Sequence, residues 1–344
     1  MGLKERKLKI LHAIIQDYIS TAEPVGSRTI AKNYNLGISS ATVRNEMADL
    51  EEMGFLEQPH TSAGRIPSDK AYRLYVDQLM RVDKINKALE RNILREYENY
   101  MGELEKIIQH TSKILSHFTN YTSLVLTPQV YESSIKHIQL MPLQEDKILM
   151  VIITKEGMIK NIVVKVNTSI DSHILVQISN ILNKYLQEFS IAQVQEEILP
   201  QIRELSVQGS KILEQLIPLI RESLVNYEDT KVYFDGITNI FNFPEFKDIE
   251  RAKEFIDLWE RKNLLVDLLS PNAQDDLHIS IGAENQLHEI KDCSLITATY
   301  KLNGKLLGTI GVIGPTRMQY GKVVSIMNYL TGQLDDMIGK GIKD

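Results

Sequence analysis

The sequence predicts an α+β fold: a winged helix-turn-helix at the N-terminus, a long linker helix, and a sheet domain interrupted by a helical insertion. Three observations carry this prediction. Residues 1–80 read as three short helices, a hairpin and a fourth helix. Residues 82–118 hold no proline and one glycine under a helical apolar spacing. Residues 122–166 change to short β-branched runs, 171–227 turn helical, and strands return between 277 and 313.

The first helix covers residues 5–19, with Leu8, Leu11, Ile15 and Ile19 at helical spacing, and Thr21-Ala22-Glu23-Pro24 stops it. Ser27 to Asn35 forms the second, with Ile30, Ala31 and Tyr34 inward. After the turn at Leu36-Gly37-Ile38, Ser39 or Ser40 offers a hydroxyl to the free N–H groups of a third helix. Val43, Met47 and Leu50 make its apolar stripe. Ala41, Asn45 and Ala48 point the other way, flanked by Thr42 and Arg44, so a small, polar face is left to enter a groove. Gly54 ends this helix as a C′ glycine. Phe55 to Gln58 is a short strand, His60 to Gly64 a turn, and Arg65-Ile66 the return strand. Ser68 caps a fourth helix, Asp69 suits the positive end of its dipole, and Tyr72, Tyr75, Val76 and Leu79 face inward. Two helices joined by a tight turn and followed by a hairpin with a basic tip make the outline of a DNA reader. Its candidate DNA-binding residues are Ser27, Arg28, Ser39, Ser40, Thr42, Arg44, Asn45, His60 and Arg65. Arg65 has two candidate roles, a phosphate or minor-groove contact and an ion pair with a carboxylate such as Asp69.

In 82–118, Ile85, Leu89, Ile93, Leu104, Ile107, Ile108 and Leu115 suggest a single amphipathic helix, either a spacer packed on the next domain or a dimer coiled coil. Beyond it, SLVLTP, KHIQLMPL, KILMVIIT and IKNIVVKV read as an antiparallel meander. Asn303-Gly304 is a strong two-residue hairpin signal, and the last helix spans about 319–338. The boundaries expected are 1–80 for the DNA-binding head, 81–118 for the linker helix, 119–166 with 276–344 for the sheet domain, and 167–275 for the insertion. The alternative puts the 135–165 strands inside the insertion.

A hydrophobic content of 43% supports a packed core in a chain of 344 residues, enough for two or three domains. No apolar run is long enough for a membrane helix, and MGLKERKLKI lacks the apolar core of a secretory signal. Cys293 is the sole cysteine, which excludes an internal disulfide and fits a reducing cytoplasm. The net charge is −6 but uneven: residues 1–81 carry 11 basic and 10 acidic side chains. Lys4, Arg6, Lys7 and Lys9 cluster at the start, a modest footprint for a salt-sensitive DNA binder.

Enzyme chemistry is not legible. His278, His288 and Cys293 lack metal-ligand spacing and read as scattered loop residues, so neither metal nor cofactor is expected. Gly304-Lys305 lacks the upstream glycine of a phosphate-binding loop, and no nucleophile elbow occurs. Gly308, Gly311 and Gly314 suit close packing of a strand, and Arg317 after them is placed either at a partner subunit or on the sheet edge.

Two stretches carry a resemblance. EPVGSRTIAKNYNLGISSATVRNEMADLEEMGFLEQPHTSAGRIPSDKAYRLYVD, residues 23–77, resembles the N-terminal signature of the HrcA family, the bacterial heat-inducible transcription repressors. GTIGVIGPTRMQYGKVVSIMNYL, residues 308–330, is similar to the C-terminal motif of the same family. The resemblance implies a repressor of chaperone operons that binds an inverted-repeat operator as a homodimer and is kept active by the GroE chaperonin. It also implies that the sheet domain is GAF-like and that the insertion dimerises, with apolar helices around Ile174, Ile178, Leu182, Leu213, Leu216 and Leu219. A competing expectation is a winged-helix regulator of other genes that senses a small molecule through the GAF-like domain.

Overall fold

The computed structural model describes residues 3–60, 64–100, 104–127, 135–144, 146–154, 159–166, 171–186, 211–212, 215–216, 218, 231–270, 276–302 and 305–341. The head comprises α1 (Glu5–Thr21), α2 (Ser27–Asn33), α3 (Ser40–Glu52), β1 (Leu56–Glu57), β2 (Ile66–Pro67) and α4 (Asp69–Leu74), whose last turn widens into a π-helical turn at Tyr75–Leu79. The buried side of α1 is wider than the expected stripe. Ile10, Ala13 and Ile14 join Leu11, Ile15 and Ile19 inside, while Leu8 is only half-buried. The helix packs against α2, α3, β2 and α4 together, so a single narrow stripe does not suffice.

The expected linker helix is two helices. α5 (Lys87–Tyr97) and α6 (Leu104–Thr119) fold back on one another: the Tyr97 and Thr111 hydroxyls lie 2.7 Å apart, and the Tyr100 and His110 rings 4.4 Å apart. In one straight helix, residues 14 apart are separated by about 21 Å. The one glycine of the stretch, Gly102, falls between the two helices in sequence, outside the described residues.

The expected meander is also divided. β3 (Thr122–Leu126) pairs with β7 (Val232–Asp235) and β10 (Lys305–Pro315), in a five-stranded antiparallel sheet of order β7-β3-β10-β9-β8 with β8 at Leu277–Ile281 and β9 at Cys293–Leu302. This is the GAF-like sheet. Strands β4 (Ile135–Gln144), β5 (Lys147–Thr154) and β6 (Ile159–Lys165) make a separate three-stranded sheet. By pairing, the 135–165 strands stand apart from the five-stranded sheet, whose β3 ends at Leu126 and whose β7 begins at Val232. Lys305 pairs next to Leu302, as a two-residue hairpin requires, although Asn303 and Gly304 themselves lie outside the described residues.

Alternation along the strands divides the five-stranded sheet between two cores. Val125, Ile310 and Val312 face α6, the last helix α10 (Tyr320–Gly341) and the head. Leu124, Leu126 and Ile313 face α8 (Ile249–Asp257), α9 (Lys262–Leu269) and Trp259. On the smaller sheet, Leu175, Ile178 and Leu182 of α7 (Ser172–Leu186) are buried, as are Ile138, Leu140, Ile148, Met150 and Ile152 of the strands. Asn183 exchanges two hydrogen bonds with the Ile138 backbone (2.6 and 2.8 Å), and the Ser179 hydroxyl accepts from the Leu140 amide at 3.1 Å. The edge of β4 is therefore closed by side chains. Ile178, Leu182 and Leu216, expected at a dimer interface, are buried within the chain, Ile174 is half-buried, and Leu213 and Leu219 lie outside the described residues. An amphipathic helix needs a cover, and here α7 finds one in its own chain.

The route from head to linker is seated on α10. A Cβ on Gly321 would lie 2.4 Å from the Arg81 carbonyl oxygen, and the Ser325 hydroxyl donates to the carbonyl of Asp83. Among the described residues no helix is long and apolar enough to cross a membrane.

Candidate nucleic-acid interface

Ser39, not Ser40, is the N-cap of α3: its hydroxyl accepts the Thr42 amide at 3.2 Å and sits 3.0 Å from the Thr42 hydroxyl. Val43, Met47 and Leu50 are buried as the spacing requires. Gly54, with φ of 76°, ends the helix in a Schellman turn: its amide donates to Glu51 O and the Phe55 amide to Leu50 O, each at 2.9 Å. The opposite face presents Ala41, Arg44, Asn45 and Ala48 to solvent. Neither Arg44 nor Asn45 makes an ion pair or side-chain hydrogen bond among the described residues. Arg28 is likewise exposed at the start of α2, beside half-buried Ser27, and Ser40 is half-buried at the start of α3.

The hairpin is anchored more firmly than its two-residue strands suggest. Arg65 forms a backbone bridge with Val25, Val25 N to Arg65 O at 2.8 Å and Arg65 N to Val25 O at 2.9 Å. Gly64 makes this approach possible: a Cβ there would stand 2.4 Å from Val25 O and 2.7 Å from Pro24 O. Val25 was not foreseen. The sign of it is a β-branched residue between Pro24 and Gly26.

The carboxylate that holds Arg65 is Glu51, with Nε 2.8 Å and Nη2 2.7 Å from Oε2; Asp69 is engaged elsewhere. Arg65 therefore ties the wing to α3, and its half-buried guanidinium still reaches the surface. His60 is exposed at the entrance to the turn, and Thr61, Ser62 and Ala63 lie outside the described residues. Ser68 caps α4 and also donates to Gly54 O at 2.8 Å, so the base of the hairpin is fixed to the end of α3.

Charge is arranged differently from the sequence expectation. Lys7 is held by Glu46 (2.7 Å) and Asp49 (2.5 Å), with Arg6 3.7 Å from Glu46, and Lys9 pairs with Glu5. Hydrogen bonds to Asp49 and Glu46 raise the Lys7 pKa above its ordinary value. Much of the N-terminal basic cluster thus neutralises carboxylates on α3 and α1. This lets an otherwise acidic α3 approach a polyanion.

A second set of contacts, which sequence reasoning missed, fixes the head on the sheet. Arg73 grips Glu284 with Nε 2.9 Å from Oε1 and Nη2 on Oε2, and Nη2 also donates to Ile279 O at 2.6 Å. The Asp69 carboxylate accepts the Ala283 amide at 2.9 Å, and burial raises its pKa. Arg317 is nine-tenths buried; it forks onto Glu245 and donates to Ile19 O at 3.3 Å in the last turn of α1. This puts Arg317 between sheet and head within one chain rather than at a partner subunit. Between them the Tyr320 ring lies tilted against those of Tyr72 and Tyr75, with centroids 6.1 and 6.4 Å away. Cys293 is buried in the second core, away from this surface, and burial pushes its thiol pKa up.

Residues 2–80 match the family model of the winged helix-turn-helix transcription repressor HrcA, DNA-binding, and residues 105–324 match that of the HrcA protein C-terminal domain. The chain is 46% identical over 343 residues to the heat-inducible transcription repressor HrcA of Ruminiclostridium cellulolyticum, covering 99% of each chain. It is 45% identical to that of Alkaliphilus metalliredigens, over 98% of each. A crystal structure described as that of a hypothetical protein at 2.2 Å resolution has the same fold, with a TM-score of 0.66 at 21% identity over 99% of this chain and all of that one.

Proposed function

Because the chain belongs to the HrcA family of heat-inducible transcription repressors, with a winged-helix DNA-binding domain at its N-terminus, we propose that it represses chaperone operons by reading an inverted-repeat operator as a homodimer. The observation that carries this is the outer face of α3. Arg44 and Asn45 stand exposed, and unpaired among the described residues, on a helix whose N-terminus is capped by Ser39 and whose exit is locked to an anchored wing. In the major groove Arg44 is suited to a guanine edge and Asn45 to an adenine. Ser40, Thr42 and the α3 N-terminus take phosphate, as do Ser27 and Arg28 at the start of α2. His60 and Arg65 serve the wing, Arg65 from within its pair with Glu51.

One head reads one half-site, so an inverted repeat calls for a two-fold assembly. The surface best suited to pairing is the uncovered face of the β4–β6 sheet. There Met141 and Val163 lie in one cross-strand row through Leu149, and Ile159 extends the same face beside Ile153. Met141, Val163 and Ile159 are 40, 56 and 64% exposed, an apolar face of the kind that marks an interaction site. The same face would make a dissociated chain a client of the GroE chaperonin, whose supply then sets the level of repression. Gel shifts with duplexes selected from a random pool on the full-length protein test the DNA reading. Recovery of an inverted repeat, with binding restored after warming by added GroE chaperonin, is the expected result. Selection of no duplex at all would refute it.

A further inference from the structure

The α5 helix carries positive charge that neither the head nor the fold uses. Lys87, Arg91 and Arg95 follow one another at four-residue spacing, all exposed, with exposed Lys84 just ahead of the helix. None of the four forms an ion pair among the described residues; Arg91 only returns a hydrogen bond to Lys87 O at 3.2 Å. This contrasts with Lys7, Lys9, Arg65, Arg73 and Arg317, each of which has a carboxylate partner. The arrangement on the helix is equally one-sided. Ile93 and Tyr97 are buried, and at about 100° per residue Arg91 and Arg95 are centred on the opposite side. Within α5 the acids lie off that stripe: Glu90 is half-buried at its flank, and Glu96 turns to His110 at 3.4 Å; exposed Glu98, the C-cap residue, is the one acid in line with it, at its far end. Asp83 is exposed beside Lys84, before the helix begins.

We infer that the outer stripe of α5 is a second DNA contact, taking backbone phosphates of the same duplex that α3 reads, without regard to base sequence. This rests on the DNA-binding function proposed above. Lys87 to Arg95 spans about 12 Å, against about 3.4 Å per phosphate along one strand. Three cations therefore fall at intervals of roughly two base pairs. Met80 closes the head and Lys87 opens α5; an extended chain bridges those seven steps in at most about 25 Å. An operator with half-sites one helical turn apart is longer than that, at about 34 Å between centres alone. The stripe thus begins no more than about 25 Å from the end of the head, on a connection whose Arg81 and Asp83 carbonyls are seated on α10. A docking site for an acidic protein would need no such proximity.

The test uses the full-length protein and a duplex selected by it from a random pool, with affinity measured between 50 and 200 mM salt. Lys87→Ala/Arg91→Ala/Arg95→Ala should lower the slope of log affinity against log salt by about 2.7. Over that fourfold range the variant then loses about 40-fold less affinity than the parent. The loss should be the same on a scrambled duplex. Arg44→Ala, by contrast, should cut the preference for the selected sequence by about 5- to 150-fold and leave most of the slope. Circular dichroism melts check that the triple variant is folded, and Arg91→Glu/Arg95→Glu provides a second, stronger perturbation on the same face. A folded triple variant and a folded charge reversal that both keep the parent slope would overturn the inference and leave the stripe to solvent or to an acidic protein. A parent chain that selects no duplex defeats the DNA-binding function itself, and this inference with it.

Discussion

Replacing Arg73 with alanine should loosen the head from the sheet without unfolding either. The guanidinium makes a forked pair with Glu284 and donates to the Ile279 carbonyl at 2.6 Å. Their side chains are 32 and 39% exposed, so water screens the pair and its contribution belongs near ~1 kcal/mol. The hydrogen bond to Ile279 adds ~1 kcal/mol. A loss of about 2 kcal/mol moves the docking equilibrium roughly 30-fold. The Ala283 amide reports it directly, because its acceptor is Asp69 on the head, at 2.9 Å. Native-state hydrogen exchange should therefore show Ala283 exchanging about 30-fold faster in the variant, while amides in the middle of β9 and β10 stay at parent rates. Unchanged exchange at Ala283 would mean that the Tyr72, Tyr75 and Tyr320 contacts and Arg317 hold the head alone. Acceleration throughout the sheet would mean that head and sheet unfold as one unit.

Gly64→Ala should cost about 1–3 kcal/mol in a thermal melt, because its Cβ would meet backbone of Val25 and Pro24 that cannot step aside; an unchanged melt would remove the bridge from the account of the wing. Arg44→Ala and Asn45→Ala should each weaken operator binding by about 1–3 kcal/mol with no change in melting, and parent affinity in both would place the reading helix elsewhere. Val163→Glu should yield monomers by light scattering and much weaker operator binding, whereas an intact dimer would move the interface off the β4–β6 sheet. Glu284 supplies a pH dependence. Burial alone would raise its pKa, but hydrogen bonds from Arg73 and the Ile281 amide outweigh that and hold it below the ordinary value. Its contribution is then present above the unfolded pKa of about 4.3 and disappears as the pH falls through the lower folded value. The stability gap between the parent and Glu284→Gln should close on acidification, and a gap independent of pH would contradict this.

What the sequence made legible was local. The α3 cap, its apolar stripe and its glycine exit all lie within 16 residues, and each follows from backbone chemistry alone. The partner of Arg65 was not legible, because several carboxylates lay within reach and only the fold selects Glu51 over Asp69. Strand pairing failed for the same reason: β3 looks like the first strand of a meander, yet its neighbours begin at residues 232 and 305. The apolar stripe of α7 announced burial but not by what, so Ile178 and Leu182 were assigned to a second copy when their own sheet covers them. In the linker, strong helical spacing on both sides of Gly102 hid a reversal that the Tyr97–Thr111 and Tyr100–His110 contacts reveal.

The seat of residues 81–83 on α10 bears on how such heads can be exchanged between regulators. Gly321 leaves room for the Arg81 carbonyl, and Ser325 donates to that of Asp83. A graft cut at the apparent end of the head, near residue 80, would separate this stretch from the helix that evolved to receive it, some 240 positions further along. The exchangeable unit is therefore discontinuous. A foreign head would have to bring residues through Asp83, together with matching positions at Gly282–Glu284, Arg317, Gly321 and Ser325, before it could sit at the native angle.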